Sequence, residues 1–481
     1  MAQKSLKKNA AYNFVKAFMN LAFPLISFPY ASRVLMPSGI GKVNFINSFI
    51  DYFILLAGLG IGSYATREAA RVRDNQQSLD TFCNQMFTIN VVSTILSYIL
   101  LFIAFLLSPK LYSYKPLLVI CSTKILFSTA GMNWLYTAEE EYRYVTIRSA
   151  TFQVISLVFL FVFVRKPEDY VWYALMGVIS NVGSNICNFF YARKFITLRL
   201  TSHVNLKKHI RSILIFFGEA CASKIHSALD SVMLGFMLND TSVGYYSAAQ
   251  KIKVLVTQMI TSITGTLTPR SSWYLEMNDK KGYRQMVQKA GNVACFFSLP
   301  AAIGIMAIAR PLIMFFSGEA YLPALPSMLI LAPSVVTGSI SSFLFNVILT
   351  PNRLEKYTLQ AQIIGSSLNV LLNAIFIPFW GVFGASLSTM IVELTIMVVM
   401  MVHSRVFLRG SKLLGSFLQA FVGSLAMAAV VSLVLAFLDN AFLEIIAGTL
   451  SGATTYAIIM LLMQNQSACM VLSMLKKRLH T

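Results

Sequence analysis

Five basic side chains, Arg33, Lys124, Lys224, Lys251 and Lys253, fall inside stretches of sequence that are otherwise strongly apolar. Three carboxylates, Glu219, Asp230 and Glu393, do the same, and Asp51 sits in the outer third of another such stretch. An ionisable group at the centre of a bilayer costs about 2.5–3.5 kcal/mol on insertion scales, so such groups face water-filled cavities or pair with each other. The cations suit an anionic ligand, above all a diphosphate, which lysine binds as a point charge. The carboxylates suit a coupled proton or sodium ion, because a low-dielectric site raises their pKa and lets their charge change between states. The bland alternative is that all of these charges form structural pairs between helices.

Spacing sharpens the picture. Glu219, Ser223, His226 and Asp230 follow an i, i+4, i+7, i+11 pattern. At 100° per residue they fall within about 60° of one another and make one helix face continuously polar. Lys224 points about 140° away from Glu219. Lys124 and Lys253 each lie about nine residues in from the outer end of a span, roughly 13 Å at helical rise and so near the midplane. Lys251 and Lys253 are about 200° apart on a helix and cannot both face one cavity.

The elements that must hold these residues are membrane spans. Of the 481 residues 56% are hydrophobic and only 12% are charged, about half the charged fraction of a soluble domain. Surface-to-volume scaling allows no soluble chain to hide so much apolar surface. Crossing a bilayer takes about 20 apolar residues. Fourteen stretches qualify: 12–36, 43–66, 84–108, 115–137, 146–164, 171–192, 210–236, 244–268, 290–309, 325–349, 357–379, 382–404, 413–437 and 441–463.

Basic residues crowd one alternating set of connections, with clusters such as Arg67, Arg71 and Arg73 or Lys476, Lys477 and Arg478. The opposite set holds only Lys42, Lys110, Lys115, Arg165 and Lys166. The positive-inside rule places the first set, with both termini, in the cytoplasm. Most of the net charge of +20 is thereby explained by topology. No cleavable signal peptide is expected, since the apolar run after Lys8 is too long and lacks a small-residue cleavage site.

All outer connections are short, so any function resides in the helices. Nucleophile-elbow, HExxH, Walker and dinucleotide-binding patterns are all missing from the sequence, and the six scattered cysteines suggest neither a disulfide framework nor a zinc site. Pro24, Pro29, Pro300 and Pro333 fall inside spans and are expected to kink them. A faint internal repeat aligns residues 34–45 with 237–248, matching Leu35 to Leu238, Ile40 to Val243 and Gly41 to Gly244. The two copies are six spans apart, which predicts parallel repeats.

Three blocks carry a family resemblance. FPYASRVLMPSGIGKVNFINSFIDYFILLAGLGIGSYATREAARVR (28–73) resembles the opening of the bacterial polysaccharide (Wzx-type, O-antigen) flippases of the multidrug/oligosaccharidyl-lipid/polysaccharide exporter superfamily. Arg33–Leu35, Gly41, Gly58–Gly60 and Ala65–Glu68 stand at the family's motif positions. LDSVMLGFMLNDTSVGYYSAAQKI (229–252) is similar to the family's seventh-to-eighth-helix pattern, and NVLLNAIFIPFWGVFGASLST (369–389) to its eleventh-to-twelfth turn.

The resemblance implies an all-α, MATE-like membrane protein of about fourteen helices. Residues 1–200 and 207–405 would form two six-helix lobes, and 411–481 the last two helices and a tail. It implies a flippase that moves an undecaprenyl-diphosphate-linked repeat unit across the bacterial inner membrane for O-antigen or capsule synthesis, by alternating access through a cationic lumen. Arg33, Lys124, Lys224, Lys251 and Lys253 would line that lumen, and Glu219, Asp230 or Glu393 would carry any proton or sodium coupling. No metal, nucleotide or nucleic acid is implied; membrane lipid, a polysaccharide polymerase and a chain-length regulator are the implied partners. Cation-coupled drug export, lipid II flipping and, from another class, glycan polymerisation or acyl transfer are the competing readings. Drug exporters mostly carry cations and favour acidic cavities, whereas here five cations face four carboxylates.

Overall fold

The computed structural model describes residues 6–202 and 204–479, without the side chains of 6–11, 13–14, 219, 222–223, 225–227, 471 and 474–479. The described residues are helical throughout, with no strand among them. Eight helices are long and apolar enough to cross a membrane, or nine if Glu319–Leu331 and Ser334–Leu349, bent by 45° at Pro333, are one span. The chain is therefore a multi-pass membrane protein.

Two helices are far too long for one crossing. Leu6–Gly58 has 53 residues and Glu355–Leu408 has 54, roughly 80 Å each at helical rise against a hydrocarbon core of about 30 Å. Each is broken by a single residue. Gly381 adopts φ 57°, ψ −128°, a conformation open only to glycine. Beyond it the chain folds back, since Gly365 packs against Ile396 and Val392. Glu355–Leu408 is thus a helical hairpin with a one-residue reversal.

At the other break, Met36 adopts φ 59°, ψ 171°. Pro37 follows it, and proline drives the preceding residue out of the α region while starting the next helix well. The second span therefore begins at Pro37, not near residue 43 as hydropathy alone suggests. Met36 occupies backbone space that suits glycine, a strain of about 1–3 kcal/mol. Met36→Gly is expected to raise the thermal unfolding midpoint in detergent. An unchanged or lower midpoint would show that the half-exposed Met36 side chain contributes more than its backbone strain removes.

Of the other prolines, Pro333 coincides with the 45° bend, while Pro24, Pro29 and Pro300 lie within continuous helix. The Gly58–Gly60 stretch ends one helix. Leu59 and Gly60 both take positive φ, and Ile61–Val72 starts anew. Ile179–Gly183 forms a π-turn between Tyr170–Val178 and Asn185–Tyr191.

The chain forms two compact units, Met1–Gly244 and Tyr245–Thr481. In the first, Leu206–Met237 packs on Leu6–Gly58, so this unit extends past the start of the second sequence block. Compactness follows contact and a repeat follows chain order, and the two need not share a boundary.

Side-chain hydrogen bonds fix helix directions within the first unit. Ser97 donates to the carbonyl of Phe53 (2.7 Å) and Ser93 to that of Ala57 (2.6 Å), an antiparallel register. Thr146 pairs with Tyr12, Gln153 with Asn20 and Tyr30 with Val164, a parallel one. Asn185 donates to Phe127 and Asn188 to Gly131, again parallel. Interhelical bonds of this kind contribute about 0.6 kcal/mol each in a membrane, and their number sets register more than stability.

In the second unit Tyr246 meets Thr389 and Lys253 meets Glu393, so those segments run parallel. Thr264–Ser342 and Thr268–Asn346 make another parallel pair. Leu413–Leu435 and Ala441–Leu462 are antiparallel neighbours, with Gly423 against Met460 and Gly452 against Val431. They pack onto Lys280–Ala307 through Leu299, Ala420, Met427 and Tyr456.

Candidate functional site

Within the first unit the chemistry gathers around one helical turn, Asn47 to Asp51. This turn belongs to the segment running from Pro37 to Gly58. Asp51 binds the ammonium of Lys224, carried by Leu206–Met237, at 2.8 Å, and both side chains are half-buried. One turn earlier, Asn47 Oδ1 accepts a 2.6 Å hydrogen bond from Lys124 Nζ. Lys124 stands on Lys115–Gly131 and is buried. Cys121, one turn before Lys124, donates its thiol to the same Asn47 oxygen at 3.4 Å. Asp230 is 2% exposed, and it and Asp51 both act electrostatically on Tyr52.

Lys124 shares one feature with Arg148, a second buried cation, whose guanidinium donates to Asn133 Oδ1 at 3.3 Å: each is held by an amide. Among the described residues no carboxylate lies within ion-pair distance of Lys124. A lysine whose hydrogen-bond partner is an amide, with no carboxylate in ion-pair range, is suited to receive an anion. Lys224 and Lys253 are different, because each already faces a carboxylate.

Within the second unit Lys253 and Glu393 form a buried, short, charge-assisted hydrogen bond between Asp240–Gly265 and the second arm of the 355–408 hairpin. Thr337 donates to the other carboxylate oxygen at 3.5 Å. Lys251, half-buried, projects from the opposite face of the same helix, as the 200° separation requires.

Arg33 is exposed and donates to the carbonyl of Pro29, one turn back on its own helix, at 3.5 Å. The side chain of Glu219 lies outside the described residues, as do those of Ser223 and His226, so the polar stripe on that helix is represented by Asp230. The residues that sequence reasoning missed are Asn47, Tyr52 and Thr337. Asn47 left a usable signal, an amide one turn from Asp51 inside a span. Thr337 left none, being one of many hydroxyls in apolar sequence.

One end of the first unit is closed by a tight crossing. A Cβ at Gly41 would collide with the Asp240 carbonyl, and one at Gly244 with the Pro37 carbonyl. Tyr114 donates to Asp240 Oδ1 at 2.5 Å, and Phe45 packs edge-on against both Tyr114 and Phe236.

Comparison with known proteins bears on this arrangement. A putative O-antigen transporter of Escherichia coli (strain K12) is 23% identical over 420 residues, covering 85% of this chain and 98% of the relative. A probable flippase, AglR, of Haloferax volcanii is 24% identical over 246 residues, covering 49% of this chain and 50% of the relative. Among solved structures, the lipid II flippase MurJ in an inward closed conformation superposes with a TM-score of 0.75 at 18% identity, covering 94% of this chain and 97% of that one. An inward-facing multidrug resistance MATE transporter superposes at 0.57 with 14% identity, covering 81% and 94%. At such identities the structural likeness shows the fold, an all-helical one like those of MurJ and the MATE transporter. These relatives are transporters and flippases, as the sequence reading expects, and not enzymes. Residues 6–274, more than half of the sequence, match the model of the polysaccharide biosynthesis protein family, and the chain belongs to that family.

Proposed function

We propose that this protein flips an undecaprenyl-diphosphate-linked oligosaccharide across the bacterial inner membrane, with the diphosphate read by buried lysine. The observation that carries the reading is Lys124, a buried ammonium held by Asn47 with no carboxylate beside it among the described residues. A drug cation would be repelled there. The names of the relatives, an O-antigen transporter and a glycan flippase, point to the same class of cargo.

The proposed topology has fourteen spans, with residues 1–200 and 207–405 as six-span blocks, a final pair in 411–481, and both termini cytoplasmic. The helix directions support it. Spans one and five run parallel, as do four and six, and spans eight, ten and twelve; each set shares odd or even rank in the fourteen-span count. The basic connections support the cytoplasmic side. In the proposed mechanism the glycan crosses through a cationic lumen while the polyprenyl tail stays in lipid. Arg33, Lys124, Lys224, Lys251 and Lys253 supply its charge. Proton or sodium coupling runs through Glu219, Asp230 or Glu393; charge-neutral replacement of all three should abolish the response of transport to an ion gradient.

The decisive test is flipping of a diphosphate-linked oligosaccharide in proteoliposomes by wild type and Lys124→Gln. A hydrogen bond to a charged group contributes about 1.5–3 kcal/mol, so transport should fall tenfold or more. Lys124→Gln keeps the amide partner and should insert and fold normally. Undiminished transport would return Lys124 to a structural role. Failure of the wild type to move the substrate would overturn the functional reading.

A further inference from the structure

Within the second unit, three segments distant in sequence enclose a cleft of about 1200 Å³. They are the beginning of Lys280–Ala307, residues 410–419, and the beginning of Gln466–Leu479. Among the described residues five cations line it, Lys280, Lys281, Arg284, Lys289 and Lys412, and no carboxylate does. The general excess of basic residues beside spans accounts for charge on one side of a membrane. It gives no reason for cations from separate segments to converge on a single concavity.

Nor does it account for the amide framework that fixes the walls. Gln288 accepts from the backbone N–H of Lys412 at 2.7 Å and donates to Asn292 at 2.7 Å. Asn292 donates in turn to Gln466 at 3.1 Å. Asn465 donates to Gln419 at 2.8 Å, joining the start of Gln466–Leu479 to Leu413–Leu435. Asp279, the carboxylate next to Lys280 in sequence, caps the helix through the N–H of Gly282 at 2.8 Å. The helix ends that carry the cations are thus tied around one concavity, which focuses positive potential on whatever enters.

Depth indicates the ligand. From Lys280 to Asn292 the cleft follows its helix for roughly 18 Å at helical rise, from beyond the predicted span into its first turn. The headgroup layer of a bilayer, about 5–8 Å on each side of the core, falls within that interval. We propose that this cleft binds the phosphate-bearing headgroup of a membrane lipid. The proposal needs the chain to span a membrane but does not depend on what it transports.

Native mass spectrometry of the full chain in detergent tests it, with phosphatidylglycerol, phosphatidylcholine and inorganic pyrophosphate titrated separately. Wild type should retain phosphatidylglycerol in preference to phosphatidylcholine at equal dose. The variant Lys281→Gln/Lys289→Gln/Lys412→Gln should bind phosphatidylglycerol more weakly by on the order of a hundredfold. Those three side chains make no hydrogen bond or ion pair among the described residues, so an unchanged unfolding midpoint is expected. Should the triple variant not fold, salt provides the second measurement: raising it tenfold should strip phosphatidylglycerol from wild type. Equal retention of the two lipids, or retention insensitive to both charge and salt, would overturn the proposal. Pyrophosphate bound in place of lipid, and lost in the variant, would overturn the lipid assignment in favour of a soluble anion.

Discussion

Glu393→Ala should unfold a large fraction of the protein, because it strands the Lys253 ammonium in a buried position. The two side chains are only 9% and 12% exposed. Deleting one member of a buried ion pair costs about 3–5 kcal/mol, most of it from the charge left uncompensated. That is a large share of the 5–15 kcal/mol typical of a whole domain. The unfolding midpoint of the detergent-solubilised protein, followed by size-exclusion fluorescence, should drop sharply, and Lys253→Ala should behave alike. The double variant Lys253→Met/Glu393→Leu should recover most of the loss, since apolar replacement of both partners is often neutral or stabilising. Single variants as stable as wild type would show that the pair is not a structural element. The double variant also separates fold from transport. If it folds and still flips substrate, the pair only holds helices together; if it folds and does not, Lys253 and Glu393 act in the transport cycle.

The second large effect is expected at the crossing of Gly41 and Gly244. Gly41 and Gly244 each occupy the position where a Cβ would run into a backbone carbonyl, of Asp240 and Pro37 respectively. Side chains can rotate away from a clash; a carbonyl within a helix start cannot. Overpacking of this kind costs about 1–3 kcal/mol for a first methyl group and more for a branched one. Gly41→Val and Gly244→Val should therefore each lower the yield of folded protein, and the corresponding alanine variants less so. Because both glycines secure one contact, combining Gly41→Ala with Gly244→Ala should fall short of additivity, as neighbouring sites do. Normal yield and midpoint in either valine variant would show that the two helix starts separate without consequence.

How far the sequence reveals this molecule depends on the kind of feature. Repeated crossing of a membrane is legible because lipid imposes a length and a polarity on each span. Charges within spans are equally legible, since Lys124, Lys253, Asp230 and Glu393 stand out against apolar neighbours. Their partners are not. Lys253 and Glu393 are separated by 140 residues, and nothing local in either segment encodes the match. Asn47 escaped notice because an amide is a weaker anomaly in a span than a charge, although it is the group that positions Lys124. Arg33 stood out for its charge, yet its position near a span end leaves it exposed. The reversal at Met36 was masked by continuous hydropathy, while the Met-Pro step held the steric cause. The basic cleft was hidden for a different reason. Basic residues beside spans are accounted for by membrane orientation alone, and convergence on a concavity is a property of three segments at once.

The one-residue reversals at Met36 and Gly381 also bear on how such a chain can change length over generations. A residue added or lost within either arm turns every later side chain by about 100° around its helix axis. A reversal made by one residue has no slack to absorb the change. Viable insertions and deletions should instead accumulate where the backbone leaves regular helix, at residues 73–75, 195–202 and 436–440. Close homologues ought to align without gaps across both hairpins, and a reporter or epitope placed in one of those three connections should be tolerated where the same peptide beside Gly381 is not.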